Sequence, residues 1–280
     1  METVQQGCML LYKELTNIYR TKKDLIVEIS TMPDISYLIN LVMLKSELNK
    51  KGFNIQLRIN ETVNQDLLET MLGGICQIEY PTVKNKNQKN HNDLTVIVPI
   101  TKIEKNEDAS KIFPLCFSNL QGLKKYYTGK IIDDFLVAFI EIVQNIPYHS
   151  MGSTGLVAVI YENIPENPTL ILAVTDFGIG IPNSLSELKS EYRYFWNDSF
   201  AVTLALKERV SRFKDKGRGK GLAGVYSFIK KHKGTLWIRS GRGLFVHKDE
   251  DYEASELQDW FPGVQCFIKL PLSQSFNKFS

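Results

Sequence analysis

An α/β (α+β) protein in two parts is the expectation for this 280-residue chain, and three observations carry it. The first half alternates short strand-like runs with helix-like runs. The second half does the same with paired strands, which points to one mixed sheet covered by helices on one side. Between the halves, Lys124 to Gly129 is polar and ends in glycine. The boundary is therefore placed there, with a small α/β unit at 1–128 and a larger unit at 129–280.

Each element has its own signal. Leu25–Ile29 is a strand candidate. From Tyr37 to Lys50, apolar residues recur at helical spacing (Leu38, Leu41, Val42, Leu44, Leu48), and Gly52 can cap the end. Ser36, just before this run, reads as a helix cap. Phe53 to Ile59 alternates apolar and polar residues as a half-buried strand does. Asn64 to Met71 reads as a short helix and Leu94–Val98 as a strand. Lys84 to His91 is polar and basic, and reads as a solvated loop, because it lacks aromatic residues on which bases could stack. The second half gives a helix over 131–146, strands over 155–161 and 169–175, and a long loop. Then come a helix over 199–213 capped near Asp198, a glycine loop, a helix over 222–233, and strands near 235–240 and 264–270.

Composition narrows the class. Hydrophobic residues make up 43% and charged residues 23%, as in ordinary globular proteins. A net charge of +3 is too small to point to nucleic acid or a membrane surface as partner. No apolar run approaches the ~18 residues of a membrane span, and the N-terminus lacks the pattern of a signal peptide. Cys8, Cys76, Cys116 and Cys266 are scattered without a Cys-x-x-Cys pair, which fits reduced thiols in the cytoplasm.

Three segments carry the chemistry. On the helix over 131–146, Phe135, Ala138, Phe139, Ile142 and Ile146 form one apolar face, and Glu141 and Asn145 sit together on another. The remaining positions are mostly apolar, so a polar pair there needs a partner. A hydrated Mg²⁺, which takes few protein oxygens, would supply one. Pro147 should end or kink the helix. Next, the apolar strand Leu170–Thr175 ends in Asp176, where a carboxylate can point into a cleft. Gly178 and Gly180 allow close backbone approach or positive φ. Last, Gly217-Arg218-Gly219-Lys220-Gly221-Leu222 leads into a helix. Bare backbone amides and a helix N-terminus suit a triphosphate, and Arg218 and Lys220 can add charge.

Rival motifs fail on context. Asp176-Phe177-Gly178 spells the magnesium motif of protein kinases, but neither a His-Arg-Asp loop nor a Val-Ala-Ile-Lys strand precedes it. The spacing Gly219, Gly221, Gly224 matches the dinucleotide fingerprint. However, a charged segment rather than a strand comes before it, and Leu244 stands where an acid is required. No Gly-Lys-Ser/Thr completes a P-loop.

The order of the three segments resembles the GHKL family of ATP-binding domains: gyrase B, the heat-shock-ninety chaperone, MutL, histidine kinases and anti-sigma-factor kinases. The resemblance covers roughly residues 130–272 and implies a two-layer sandwich of sheet and helices. It implies ATP and Mg²⁺ as ligands. Asn145 would be the metal ligand, Glu141 the acid orienting the attacking water, and His149 a neighbour of the phosphates. Asp176 would recognise the exocyclic amine of adenine, and 183–216 would form the lid over the nucleotide. Val264 stands where the family often has a threonine near adenine. The strand–helix–strand pattern over 25–59 looks like part of a STAS domain. The expected function is therefore Mg-dependent ATP binding with slow hydrolysis, coupled to a protein partner or homodimer. A nucleotide-dependent switch without catalysis, or a serine/threonine kinase acting on a STAS-like partner, are the alternatives.

Overall fold

In the computed structural model, residues 25–29, 31, 33–60, 63–75, 93–149, 154–207 and 221–272 are described. Strand β1 (Leu25–Ile29) pairs in parallel with β2 (Ile55–Ile59), and helix α1 (Ile35–Lys50) makes the crossover. The α1 cap is Asp34 rather than Ser36: its carboxylate accepts from the Ser36 backbone N–H at 2.8 Å. Ser36 sits one residue inside the helix, buried, with its hydroxyl on the same carboxylate. Ile35, Ile39 and Met43 complete a surface that is apolar nearly all round. α1 uses all of it, because it packs between β2 on one side and the main sheet on the other.

Helix α2 (Gln65–Leu72) is capped by Asn64, which accepts from Leu67 N–H at 3.0 Å, and it stops at Gly73 in the left-handed conformation. Strand β3 (Leu94–Ile103) runs five residues past its expected end and is followed by helix α3 (Asn106–Gln121), where the sequence reading placed no element. Both precede the boundary drawn at 124–129, yet β3 is hydrogen-bonded to the strand that follows it. Helix α4 (Gly129–His149), strands β4 (Gly155–Glu162) and β5 (Thr169–Asp176), and the short helix α5 (Gly180–Ser184) come next. Helices α6 (Asp198–Lys207) and α7 (Gly221–Lys231) are followed by strands β6 (Thr235–Lys248) and β7 (Asp251–Pro271).

Five strands form the main sheet in the order β3-β4-β5-β7-β6. Every neighbouring pair is antiparallel, so the sheet is not the expected mixed one. The expected α/β sandwich is present, with α3, α4, α6 and α7 on the near face. Helices do not keep to one side, however. α1 and α2 cover the far face, with β1 and β2 outside them. Along β5, Leu170, Leu172 and Val174 enter the near core while Ile171 and Ala173 enter the far core. Burial on both faces explains why this strand reads as a continuous apolar run.

β6 and β7 continue well past the strands beside them. β5 pairs with β7 only from Pro271 back to Val264, whereas β6 and β7 stay paired to a two-residue turn at Asp249–Glu250. The stretch from Gly241 to Phe261 is thus a hairpin arm projecting beyond the sheet, and the expected strands near 235–240 and 264–270 are only its base. The arm holds the start of α6. The Asp198 carboxylate accepts from Arg242 N–H at 2.7 Å, and Glu256 accepts from Ser199 N–H at 2.6 Å. Among the described residues, no helix is long and apolar enough to cross a membrane.

Candidate functional site

Helix α4 positions the first pair of side chains. Its buried Phe135, Phe139, Ile142 and Ile146 fix its rotation on the sheet. Glu141 then points to solvent and Asn145 is half-buried. The largely apolar composition of the helix predicts a buried pair; Glu141 is instead exposed and Asn145 only half-buried. The apolar face is narrower than the composition of the helix suggests, and Val137 is 61% exposed. The helix also passes through Pro147 to His149 instead of ending before it. The missing Pro147 amide does not end the helix. His149 is the final residue of α4.

α7 begins directly opposite this pair. A methyl group on Gly221 would sit 2.8 Å from Glu141 Oε2 and 3.8 Å from Asn145 Nδ2. The bare Gly221 leaves the helix start close against both side chains. Its free N-terminal amides and dipole therefore face the same space as the carboxylate and the carboxamide. The two helices are tied elsewhere by Asp134, bonded to Lys231 at 2.6 Å and to His232 Nε2 at 3.0 Å. Lys231 first, and His232 with it, hold the Asp134 carboxyl below its usual range. Leu222 is half-buried and packs on the near core. Gly217, Arg218, Gly219 and Lys220 lie outside the described residues, as do positions 208–216 of the expected lid. The described rest of that lid takes in the end of α5, a 3₁₀ turn over Ser186–Ser190 and α6, whose Val202, Ala205 and Leu206 join the near core. Asn197 caps α6, accepting from Phe200 N–H at 2.7 Å.

Asp176 supplies the other wall. Ile146, next to Asn145, packs against Gly155, where any side chain would collide with it. Gly155 is the cross-strand partner of Asp176. Asp176 is 8% exposed, and burial pushes its carboxyl up to about 7. Backbone amides of Gly178 and Val264 oppose that rise, Gly178 N–H donating to Oδ1 at 2.7 Å. Val264 contributes through its main chain, which its side-chain type gave no reason to expect. Gly180 opens α5 with φ +75°. Gly263, at φ +81°, lies so close to Asp176 that a side chain there would run into the Asp176 carbonyl oxygen. Ser240 also belongs to this wall: it accepts from Ile181 N–H at 2.8 Å and donates to the Gly263 carbonyl at 2.6 Å.

The donor set suits a magnesium ion. Glu141 and Asn145 each carry a hard oxygen one helical turn apart on α4, and the exposed carboxylate leaves room for retained waters. Among the described residues no group of three or more His, Cys, Asp or Glu could cage a metal, so an ion here would depend on water and substrate oxygens.

With this geometry established, comparison with known proteins places the segment. Residues 132–257 match the family model of the histidine kinase-, DNA gyrase B-, and HSP90-like ATPases. The match spans just under half of the chain and includes Glu141, Asn145, Asp176, Gly178, Gly180, the glycine loop and its following helix. It supports the GHKL resemblance of this segment, and with it ATP binding. The unit before α4 lies outside the match. A comparison with curated proteins yields no match.

Proposed function

We propose that the protein binds ATP in a magnesium-dependent way and hydrolyses it slowly, coupling its nucleotide state to a partner protein or a second copy of itself. One observation carries this reading: Gly221, Glu141 and Asn145 meet at one point, and Ile146 and Gly155 link that point to Asp176. In this reading the three segments, far apart in the chain, line one site with a phosphate end and an adenine end.

In this reading Asp176 accepts a hydrogen bond from the exocyclic amine of adenine. The same position in guanine carries a carbonyl, which a carboxylate repels. The α7 N-terminus and the glycine loop, with Arg218 and Lys220, bind the phosphates through amides and charge. Asn145 would hold the magnesium ion, which when bound neutralises phosphate charge. Glu141, free to solvent, orients a water molecule and takes its proton. The water oxygen bonds to the γ-phosphorus as the bond to the β–γ bridging oxygen breaks, giving ADP and phosphate. His149 would neighbour the phosphates. The parallel β1–α1–β2 unit supports a STAS-like regulatory role for the N-terminal part.

The test follows γ-labelled ATP with Mg²⁺ in wild type and Glu141→Ala. Label released as phosphate by wild type, and reduced at least about a hundredfold in the variant, is the expected result. Label transferred to protein would establish kinase chemistry. Binding without either product would make the protein a nucleotide-dependent switch.

A further inference from the structure

We infer that Ser240 is a positioning residue for adenine recognition, setting the two backbone donors that hold Asp176. The inference rests on the ATP-site reading above and adds a residue from outside the three segments that carry it.

Ser240, Val264 and Asp176 stand in one row across β6, β7 and β5. Ser240 is fully buried. Its hydroxyl is satisfied in both senses, donating to the Gly263 carbonyl at 2.6 Å and accepting from Ile181 N–H at 2.8 Å. The second bond matters because α5 has no side-chain cap of its own. Ser240 therefore caps this short helix from another strand. The surroundings are cut to fit. A methyl group on Gly180 would lie 2.7 Å from Ser240 Oγ and 3.0 Å from the Gly263 carbonyl oxygen. Gly180 and Gly263 both adopt positive φ, so the two chains meet over the hydroxyl without a side chain between them.

Each arm of the bridge leads to Asp176. Ile181 closes the turn that includes Gly178, whose N–H donates to Asp176 Oδ1 at 2.7 Å. Gly263 precedes Val264, whose backbone amide meets the same carboxylate. Among the described residues, the environment of Asp176 is set by burial and these two amides. Loss of the hydroxyl leaves the Ile181 amide and the Gly263 carbonyl unpaired in a buried place, and both peptides then relax. The carboxylate loses its orientation toward adenine, while the phosphate end at Gly221 and Asn145 is untouched.

The experiment is titration calorimetry of ATP and ADP, with and without Mg²⁺, from pH 6 to 8. It uses wild type, Ser240→Ala, Ser240→Cys and Ser240→Thr, with circular dichroism to establish that each is folded. We expect Ser240→Ala to bind ATP and ADP more weakly by the same factor, at least tenfold. The ratio of affinities with and without Mg²⁺ should stay unchanged, and the pH midpoint of binding should move from that of wild type. Ser240→Thr, which keeps a hydroxyl, should recover most of the affinity. If Ser240→Ala does not fold, Ser240→Cys is read in its place with the same expectation. Wild-type affinity and an unmoved pH midpoint in a folded variant without the hydroxyl would overturn the inference and leave the site reading intact. Failure of the wild type to bind ATP would overturn the site reading itself.

Discussion

Two adjacent rows of residues on the same three strands have opposite fates. Ser240, Val264 and Asp176 face the near side. Arg239, Gln265 and Thr175, one residue away on each strand, face the far side beneath α1. The near row is tied into the backbone around Asp176: the Ser240 hydroxyl joins Ile181 N–H to the Gly263 carbonyl, and the Gly178 and Val264 amides hold the Asp176 carboxylate. The far row is sealed. Gln265 Nε2 donates to Asn40 Oδ1 of α1 at 2.7 Å, and both residues are buried. Thr175 Oγ1 and Gln265 Oε1 are left without partners. Burying such groups costs free energy that packing must offset. One surface of the sheet therefore uses its polar groups to fix one carboxylate, while the other uses them to hold a second structural layer.

The comparison can be broken first with core truncations. Phe139→Ala on the near side should cost about 3–5 kcal/mol and Leu38→Ala on the far side about 2–5 kcal/mol, since both side chains are fully or almost fully buried. If the two layers are one cooperative body, urea unfolding followed by fluorescence and circular dichroism gives a single transition in both variants. Two transitions in Leu38→Ala would separate the layers. Gly263→Ala comes next. Its positive φ alone costs about 1–3 kcal/mol, the collision with Asp176 adds to that, and ATP binding should be lost along with stability. Gln265→Leu is smaller, at about 1–3 kcal/mol, because it removes the buried bond from Gln265 Nε2 to Asn40 Oδ1. Adding Asn40→Leu should restore part of the loss. ATP affinity should not change in either, and a change would show that the far row reaches the cleft.

The pH dependence is the most diagnostic. The Asp176 carboxyl is raised to about 7 in the folded protein, against an ordinary unfolded value of about 3.9. Its stabilising contribution is complete below about pH 4 and is lost as pH rises through about 7. Asp176→Asn should remove that slope from the pH dependence of the urea midpoint. Adenine recognition uses the ionised form, so ATP affinity in wild type should rise with pH through about 7. In Asp176→Asn it should be weaker and flat.

Strands β4 and β5 and helices α4 and α7 were legible because each has a clean period or an unbroken apolar run. α3 was not. Pro114 argues against a helix, and exposed Leu115 and Phe117 obscure the buried face made by Ala109, Ile112, Cys116 and Leu120. The hairpin arm was hidden by Gly241 and Gly243, which read as loop. They are glycines because side chains there would strike Asp198 and the α6 backbone. At the site, residue type pointed to Glu141, Asn145, Asp176 and the glycines. The Val264 amide and the Ser240 hydroxyl act through three-dimensional register, which no local pattern encodes. The expectation that Glu141 was buried failed because helix rotation is set by the strongest apolar face, not by average composition.

The bond between Asn40 and Gln265 joins residues 225 positions apart. At a synthesis rate of about 5–20 residues per second, α1 would leave the ribosome roughly 10–45 s before its buried partner on β7 is made. Throughout that interval a helix apolar nearly all round has no sheet to cover its second side. The N-terminal layer is thus made first and completed last. Nascent chains of this protein should be most open to chaperone capture while their C-terminal hairpin is still being translated.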